Sequence, residues 1–341
     1  MEDWIFSNLV VGLLVAAATA LFLWLRGNRI WRQAGSELWQ RRPLGLLVIG
    51  LYLTIALLDS ISWVGGVESG GDVVAAHEAR SLLDRVFADS KERSYSAPLA
   101  DVEFYDEEQQ LRKPGSHLLG TDILGRDVLY LALKGARVAI LIGGLTSLIA
   151  IPLALFFGVS AGYYGGRIDD AVFFVMSTLA SMPGLLLLIA LIMVMGQGTV
   201  SVAIALAVTS WVGFCRVARG ETMKLRELEY VQAARALGVS ELRIIFRHIL
   251  PNLAHLVVIT FVLTFSGLVL SEAILAWLGI GVDGSWGQMI DQARSELSRD
   301  PVIWWNLSAA GAALFGLLLA VNFVGDAVRD VLDPRTLREN Q

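Results

Sequence analysis

In 341 residues the sequence has one cysteine, Cys215. No disulfide can close within the chain, and neither a cysteine-rich zinc site nor a disulfide scaffold can be built from it. Histidines are almost as scarce, at positions 77, 117, 248 and 255. No HExxH pattern occurs, and His248 and His255 flank a proline, so no metal site is expected. A GxxxxGK[ST] loop is also missing, so the chain is not expected to bind or hydrolyse ATP by itself, and no cofactor or catalytic residue is expected. Charged residues make up only 17% and sum to a net of −5. Phosphate backbones demand clustered Lys and Arg, so nucleic acid is not an expected partner. What the sequence has in quantity is apolar surface: 55% of its residues are hydrophobic and its mean hydropathy is positive. That is too apolar for an ordinary soluble domain and makes the lipid bilayer the main solvent.

A spanning helix needs about 20 mostly apolar residues to cross about 30 Å of hydrocarbon. Stretches of that kind run over 5–25, 44–64, 137–161, 171–196, 199–218, 253–279 and 304–325, and predict an all-α polytopic protein of about seven transmembrane helices. The first lacks a basic residue before it and is followed by Arg26, Arg29 and Arg32, so it reads as a retained anchor rather than a cleaved signal. Short cytoplasmic loops collect Lys and Arg. Arg26 to Arg42 carry five arginines against Glu37, which places that linker inside and the N-terminus outside. Alternation then puts the acidic 65–134 segment outside, and the turn at Gly165–Arg167, the loop after Cys215 and the tail with Arg329, Arg335 and Arg338 inside. Every basic loop falls on one side.

Several residues within or beside the spans admit two readings. Gly158, Gly162 and Gly166 have the GxxxG spacing that allows helices to approach closely in lipid. Pro152 and Pro183 sit inside spans, where each removes a backbone hydrogen bond; a kink for packing or a part in a gate would both fit. Glu272, expensive in lipid, should face the protein interior or a translocation path, touching cationic groups or pairing structurally. Arg137 can snorkel to the interface, and Trp286, Trp304 and Trp305 fit an aromatic belt. Asp122, Arg126 and Asp127 read as an amphipathic helix lying along the membrane surface. Gly158-Val-Ser160-Ala-Gly162 matches a nucleophile pattern, yet it lies in an apolar span without a basic partner.

The polar loop from Arg216 to Asn252 is the most informative stretch. Tyr230 to Leu237 consists of good helix formers, Gly238 is a helix terminator, and Ser240 is an N-cap for a second helix over 241–249 that stops at Leu250-Pro251. Small Ala233 and Ala234 leave room for another protein, and Leu237, Ile244, Ile245 and Phe246 offer apolar contacts. On composition alone the segment could equally be a plain polar connector with helical propensity. Its spacing decides: Gln232-Ala233-Ala234, then Gly238, then Leu250-Pro251 resembles the EAA motif of bacterial ABC-importer permeases, with Gln232 in place of the motif's Glu and His248 in place of its Ile.

Other stretches carry the same resemblance. LGTDILGRDVL at 119–129, GARV at 135–138, GYYGGRID at 162–169, LGIG at 278–281 and GDAVRDVLDP at 325–334 are similar to the second permease subunit of dipeptide, oligopeptide and nickel importers, and the long segment after the first core span is similar to the Yej-type branch. The resemblance covers about residues 115–335. It implies a six-helix type I permease core preceded by one extra helix, in the bacterial inner membrane with the C-terminus cytoplasmic. Its implied partners are a second homologous permease, two cytoplasmic ATPases and an extracytoplasmic substrate-binding protein, with ATPase motion transmitted through 230–250. Tyr230, Gln232, Ala233, Ala234, Leu237, Gly238, Leu250 and Pro251 are the implied coupling residues, and Glu272 and Pro183 candidate path residues. The expected organisation is 1–42 anchor and linker, 43–64 first core span, 65–134 extracytoplasmic segment with an interfacial helix, 135–325 permease core with the 216–252 loop, and 326–341 tail. The competing reading is an ion- or proton-coupled secondary transporter using Glu272.

Overall fold

The computed structural model describes Gly12, Gly35 and residues 37–63, 80–88, 90–106 and 108–332. The expected first span, 5–25, lies outside the described residues. The helices are α1 (Pro43–Ser60), α2 (Leu82–Val86), α3 (Val128–Tyr164), α4 (Gly166–Ser181), α5 (Gly184–Met195), α6 (Thr199–Arg226), α7 (Glu229–Ala236), α8 (Glu241–Ile244), α9 (Leu250–Trp277), α10 (Trp286–Glu296) and α11 (Trp305–Leu332). A short antiparallel pair, β1 (Ser62–Trp63) and β2 (Arg80–Ser81), with Ser62 opposite Ser81, is the sheet found among the described residues. Five helical stretches are long and apolar enough to cross a membrane, and α4 with α5 make a sixth if that pair is one span. These six correspond to the six expected spans from 44 to 325.

Two prolines act differently. Pro152 stays within the 37-residue α3. Pro183 does not lie inside a continuous helix as the apolar run implied: it is the N-cap residue of α5, where α4 and α5 bend by 93°. A proline lacks the N–H that would continue the α4 ladder and disfavours helical geometry at Met182, which is extended here.

The first compact unit contains Met1–Ile140, Ala276–Gly279 and Asp283–Ala327. Its head is held by polar pairs that hydropathy does not reveal. Helix α3 begins at Val128, about two and a half turns before the apolar run at 137, because the charges in that stretch are matched. Lys134 Nζ and Tyr130 Oη both donate to Asp84 Oδ1 at 2.5 Å, and Arg137 Nη1 donates to the Asp59 carbonyl at 3.2 Å and lies 3.6 Å from its carboxylate. Arg137 is therefore paired rather than snorkelling. Burial pushes the Asp84 carboxyl up, but the hydrogen bonds from Lys134, Tyr130 and the Ser81 N–H outweigh it and hold the group at about 2. Trp286 and Trp305 are buried rather than belted at an interface; their ring N–H groups donate to the carbonyls of Ala132 (2.7 Å) and Thr121 (2.9 Å), whereas Trp304 is exposed.

Residues 120–127 form no amphipathic helix. They make a tight turn with a bridge between Thr121 and Asp127. Asp122 is fully buried and its Oδ1 accepts the N–H groups of Leu124 and Arg126, so the side chain takes the backbone donors a helix would have used.

The second unit contains Leu141–Leu275, Ile280–Val282 and Val328–Gln341. Its seam is the contact of α3 with α6. A Cβ on Gly158 would lie 2.7 Å from the Cys215 carbonyl oxygen, and one on Gly162 would lie 2.6 Å from that of Arg219. Gly166, the third of the spaced glycines, has open space around it and starts α4 instead. Around the seam pack Ala154, Ala161, Met176, Ala207, Trp211 and Cys215. Gly158→Ala is expected to cost about 1–3 kcal/mol through overpacking, while Gly144→Ala, with open space, stays within about 0.5 kcal/mol of wild type. Thermal denaturation of the purified variants in detergent measures both.

Candidate functional site: the loop from 216 to 252

Helix α6 runs beyond its apolar part to Arg226 and delivers the chain into the loop. Its last turns are fixed from two sides. Arg219 grips Asp169 of α4 with both guanidinium edges, Nη2 reaching Oδ2 at 2.6 Å, and Arg226 Nη1 donates to the Gly162 carbonyl of α3 at 2.9 Å. Bidentate guanidinium–carboxylate pairs are the stronger kind, and this one is only partly exposed.

Helix α7 is eight residues long and too short to persist alone in water. It is held by its inner face. Val231 and Ala234 pack with Ile244, Ile245, Ile249 and Leu253 against Val159 and Tyr163 of α3. Burying a Val or Ile side chain contributes about 1.5–3 kcal/mol, so a handful of them offsets much of the entropy lost in ordering two short helices. The turn between these helices is a Schellman closure. Gly238 N–H donates to Arg235 O (3.0 Å) and Val239 N–H to Ala234 O (3.1 Å), with Gly238 at φ +76°. Any residue with a Cβ is strained there.

Ser240 is the N-cap residue of α8, as expected, though its side chain makes no capping bond. The expected stop at Leu250-Pro251 does not occur. Residues Ile245–Ile249 form a π turn, and the helix continues through Pro251 into α9. The wider turn makes space where the proline ring would otherwise meet the carbonyl four residues back, and Asn252 Nδ2 donates to the His248 carbonyl at 2.6 Å. It also lets Ile244 and Ile249, five residues apart, reach the same buried cluster.

The expected contact residues divide accordingly. Ala234, Ile244 and Ile245 turn inward and cannot meet another protein. Ala233, Gln232, Gly238 and Pro251 are exposed, Leu250 is half-buried, and Leu237 is 83% exposed. Tyr230 braces the loop: its hydroxyl accepts from Asn252 Nδ2 at 3.2 Å. Gln232 Nε2 donates to the Arg226 carbonyl (3.1 Å) at the end of α6 and to Glu227 Oε2 (3.3 Å). A glutamate in its place would bring a carboxylate against both acceptors, so the local structure matches the amide.

One residue outside the sequence expectation, Leu242, 64% exposed, completes the outer face with Phe246, already expected and 67% exposed. The anchors Val231, Ile249 and Leu253 were also missed, although an apolar repeat at 245, 249 and 253 marked the last two. Arg235, Glu241, Arg243 and Arg247 interleave with the outer residues and are all exposed. Charges at that density do not belong in hydrocarbon, so this face lies outside the lipid. Glu272 is buried within α9, and Pro183 is exposed at the bend before α5.

Apolar spans carrying a helical loop packed on α3 define a polytopic membrane protein. Comparison with known proteins gives the class its family. The profile described as "Binding-protein-dependent transport system inner membrane component" matches residues 154–338, just over half the chain. The chain belongs to that family, the inner-membrane permease subunits of ABC importers. Similar proteins include the dipeptide transport system permease protein DppC of Bacillus subtilis, 34% identical over 68% of this chain and 72% of the relative. The glutathione transport system permease protein GsiD of Pectobacterium atrosepticum is 34% identical over 71% and 80%, and a putative peptide transport system permease protein of Brucella abortus is 39% identical over 67% and 78%.

Ile244→Ala and Ile249→Ala are each expected to loosen the loop by about 2–5 kcal/mol, whereas Leu242→Ala stays within about 0.5 kcal/mol. Limited proteolysis within 229–249 reads the difference. Equal protease sensitivity of the three variants would contradict the inward and outward assignment.

Proposed function

We propose that this permease carries peptides or a related small solute, and that the outer face of the 229–249 loop docks on a cytoplasmic ATPase. The observation that carries the proposal is the pairing of a tightly packed inner face with an exposed apolar outer face at Leu237, Leu242 and Phe246. Peptide cargo is supported by the relatives, whose names specify dipeptide, glutathione and peptide transport. In this reading a second permease completes the path, two ATPases supply the energy, and an extracytoplasmic binding protein delivers the solute. The N-terminus is outside and the loop is inside. Gln232 makes the docking depend on apolar and small-residue contacts rather than on a carboxylate at that position. Docking alone does not couple: the ATPase must bind the loop with different free energy in its two states, or the permease equilibrium does not move. Glu272 and Pro183 are proposed path elements, and the 65–134 segment is proposed to face the binding protein.

Co-expression with the partner permease and ATPases tests the docking face. Leu237→Glu with Phe246→Glu is expected to abolish ATPase co-purification and peptide uptake, because two carboxylates would be buried against an apolar surface. Membrane abundance should stay normal, since neither side chain packs within the chain. Full ATPase recovery with the double variant would sink the proposal.

A further inference from the structure

The first unit contains a charged cluster away from the proposed docking face. His117 is fully buried. Its Nδ1 lies 2.9 Å from Asp127 Oδ2 and its Nε2 3.3 Å from Glu92 Oε1. Each carboxylate also takes backbone donors. Asp127 Oδ1 accepts the N–H groups of Leu129 (2.8 Å) and Tyr130 (3.4 Å), which are unsatisfied donors at the start of α3. Glu92 accepts those of Arg112 and Lys113, both at 3.0 Å. A further bond, Glu92 N–H to Gly125 O at 2.8 Å, brings the two chain segments so close that a Cβ on Gly125 would overlap the Glu92 backbone.

The two ring nitrogens face opposite ways, so the two carboxylates cannot converge on one ion, and the cluster is not a metal site. It is sensitive to a proton. A neutral imidazole has one N–H and one bare lone pair, so it can donate to only one of two carboxylates, while an imidazolium donates to both. The remaining charged groups nearby are committed elsewhere: Asp122 holds Arg126 at 2.7 Å, and the side chains of Arg112 and Lys113 are exposed.

We propose that His117 is a proton-operated clasp that, when protonated, ties the 90–117 segment to the N-terminal cap of α3 and, when deprotonated, lets one carboxylate go. The sign follows from the two kinds of group. The clasp is complete while the ring is charged and incomplete once the ring has lost its proton. At the other end, burial pushes the Glu92 carboxyl up, but the N–H groups of Arg112 and Lys113 and the His117 ring outweigh it and hold it below the usual carboxylate range. Its contribution is thus present above the ordinary carboxylate range and is lost only in stronger acid. Gain and loss of the ring proton thus make the start of α3 responsive to the compartment this segment faces.

Hydrogen exchange of the full-length protein in lipid nanodiscs tests this, with rates corrected for the intrinsic effect of pH. One amide pair, Leu129 and Tyr130 on Asp127 or Arg112 and Lys113 on Glu92, is expected to lose about tenfold in protection between about pH 6 and about pH 9. The amides of α6 at 215–222 should not change. His117→Gln, which cannot titrate, should show low protection at both pH values. Unchanged wild-type protection, the same drop in His117→Gln, or a parallel drop at 215–222 would each overturn the clasp. Should His117→Gln fail to accumulate, Asp127→Asn keeps a good helix cap but removes one charge, and it is expected to lower the midpoint by about one pH unit. An unmoved midpoint would overturn the proposal equally.

Discussion

Gly158 and Gly162 bring the backbone of α3 directly against residues 215–222 of α6, and the second unit depends on that contact. In lipid there is little hydrophobic drive between helices, so close van der Waals packing over small residues must supply it. The seam sets where α6 ends. Arg226 then reaches back to the Gly162 carbonyl, and Arg219 holds Asp169 at the start of α4. The next turn of α3, at Val159 and Tyr163, is the floor on which the loop is mounted. A larger residue at either glycine would shift the end of α6, the Arg226 contact and that floor together.

This arrangement gives the loop two faces, one buried and one exposed. The inner face fixes geometry through Val231, Ile244 and Ile249, which leaves Leu237, Leu242 and Phe246 free to be shaped by what they meet. A loop held by its own side chains can transmit a push; a loop held only by its partner would fold around it instead. The π turn before Pro251 extends the same logic, because it allows the knob to continue into α9 without a hinge. Pro183 is the contrast: there the chain does break, and α4 and α5 meet at a right-angled bend.

Much of this was legible in the sequence. Long apolar runs located the six described spans, since nothing but a spanning helix needs about 20 such residues in a row. Gly238 announced its turn, because few other signals demand φ > 0 between two helical stretches. What was not legible depended on distant partners. The early start of α3 relies on Asp84 and Asp59 neutralising Lys134 and Arg137 from about 50 and 78 positions away. The charges at 122 and 126 are spaced as on a helix face, yet Asp122 uses them to close a turn. Ala233 and Ala234 look alike in sequence, and only packing on α3 shows that one faces out and the other in. The fate of Pro251 likewise turned on a neighbouring asparagine side chain and a buried cluster.

The central claim is that the loop and its spans move as one body. Spin labels at Leu242 on the knob and Val200 near the far end of α6, in a Cys215→Ser background, test it most directly. Both positions are exposed and belong to the second unit. In the assembled importer, pulsed electron–electron resonance should give one narrow distance that is the same without nucleotide and with ATP trapped. A distribution that broadens or shifts by several ångströms on ATP trapping would show the loop moving on its own and contradict the account.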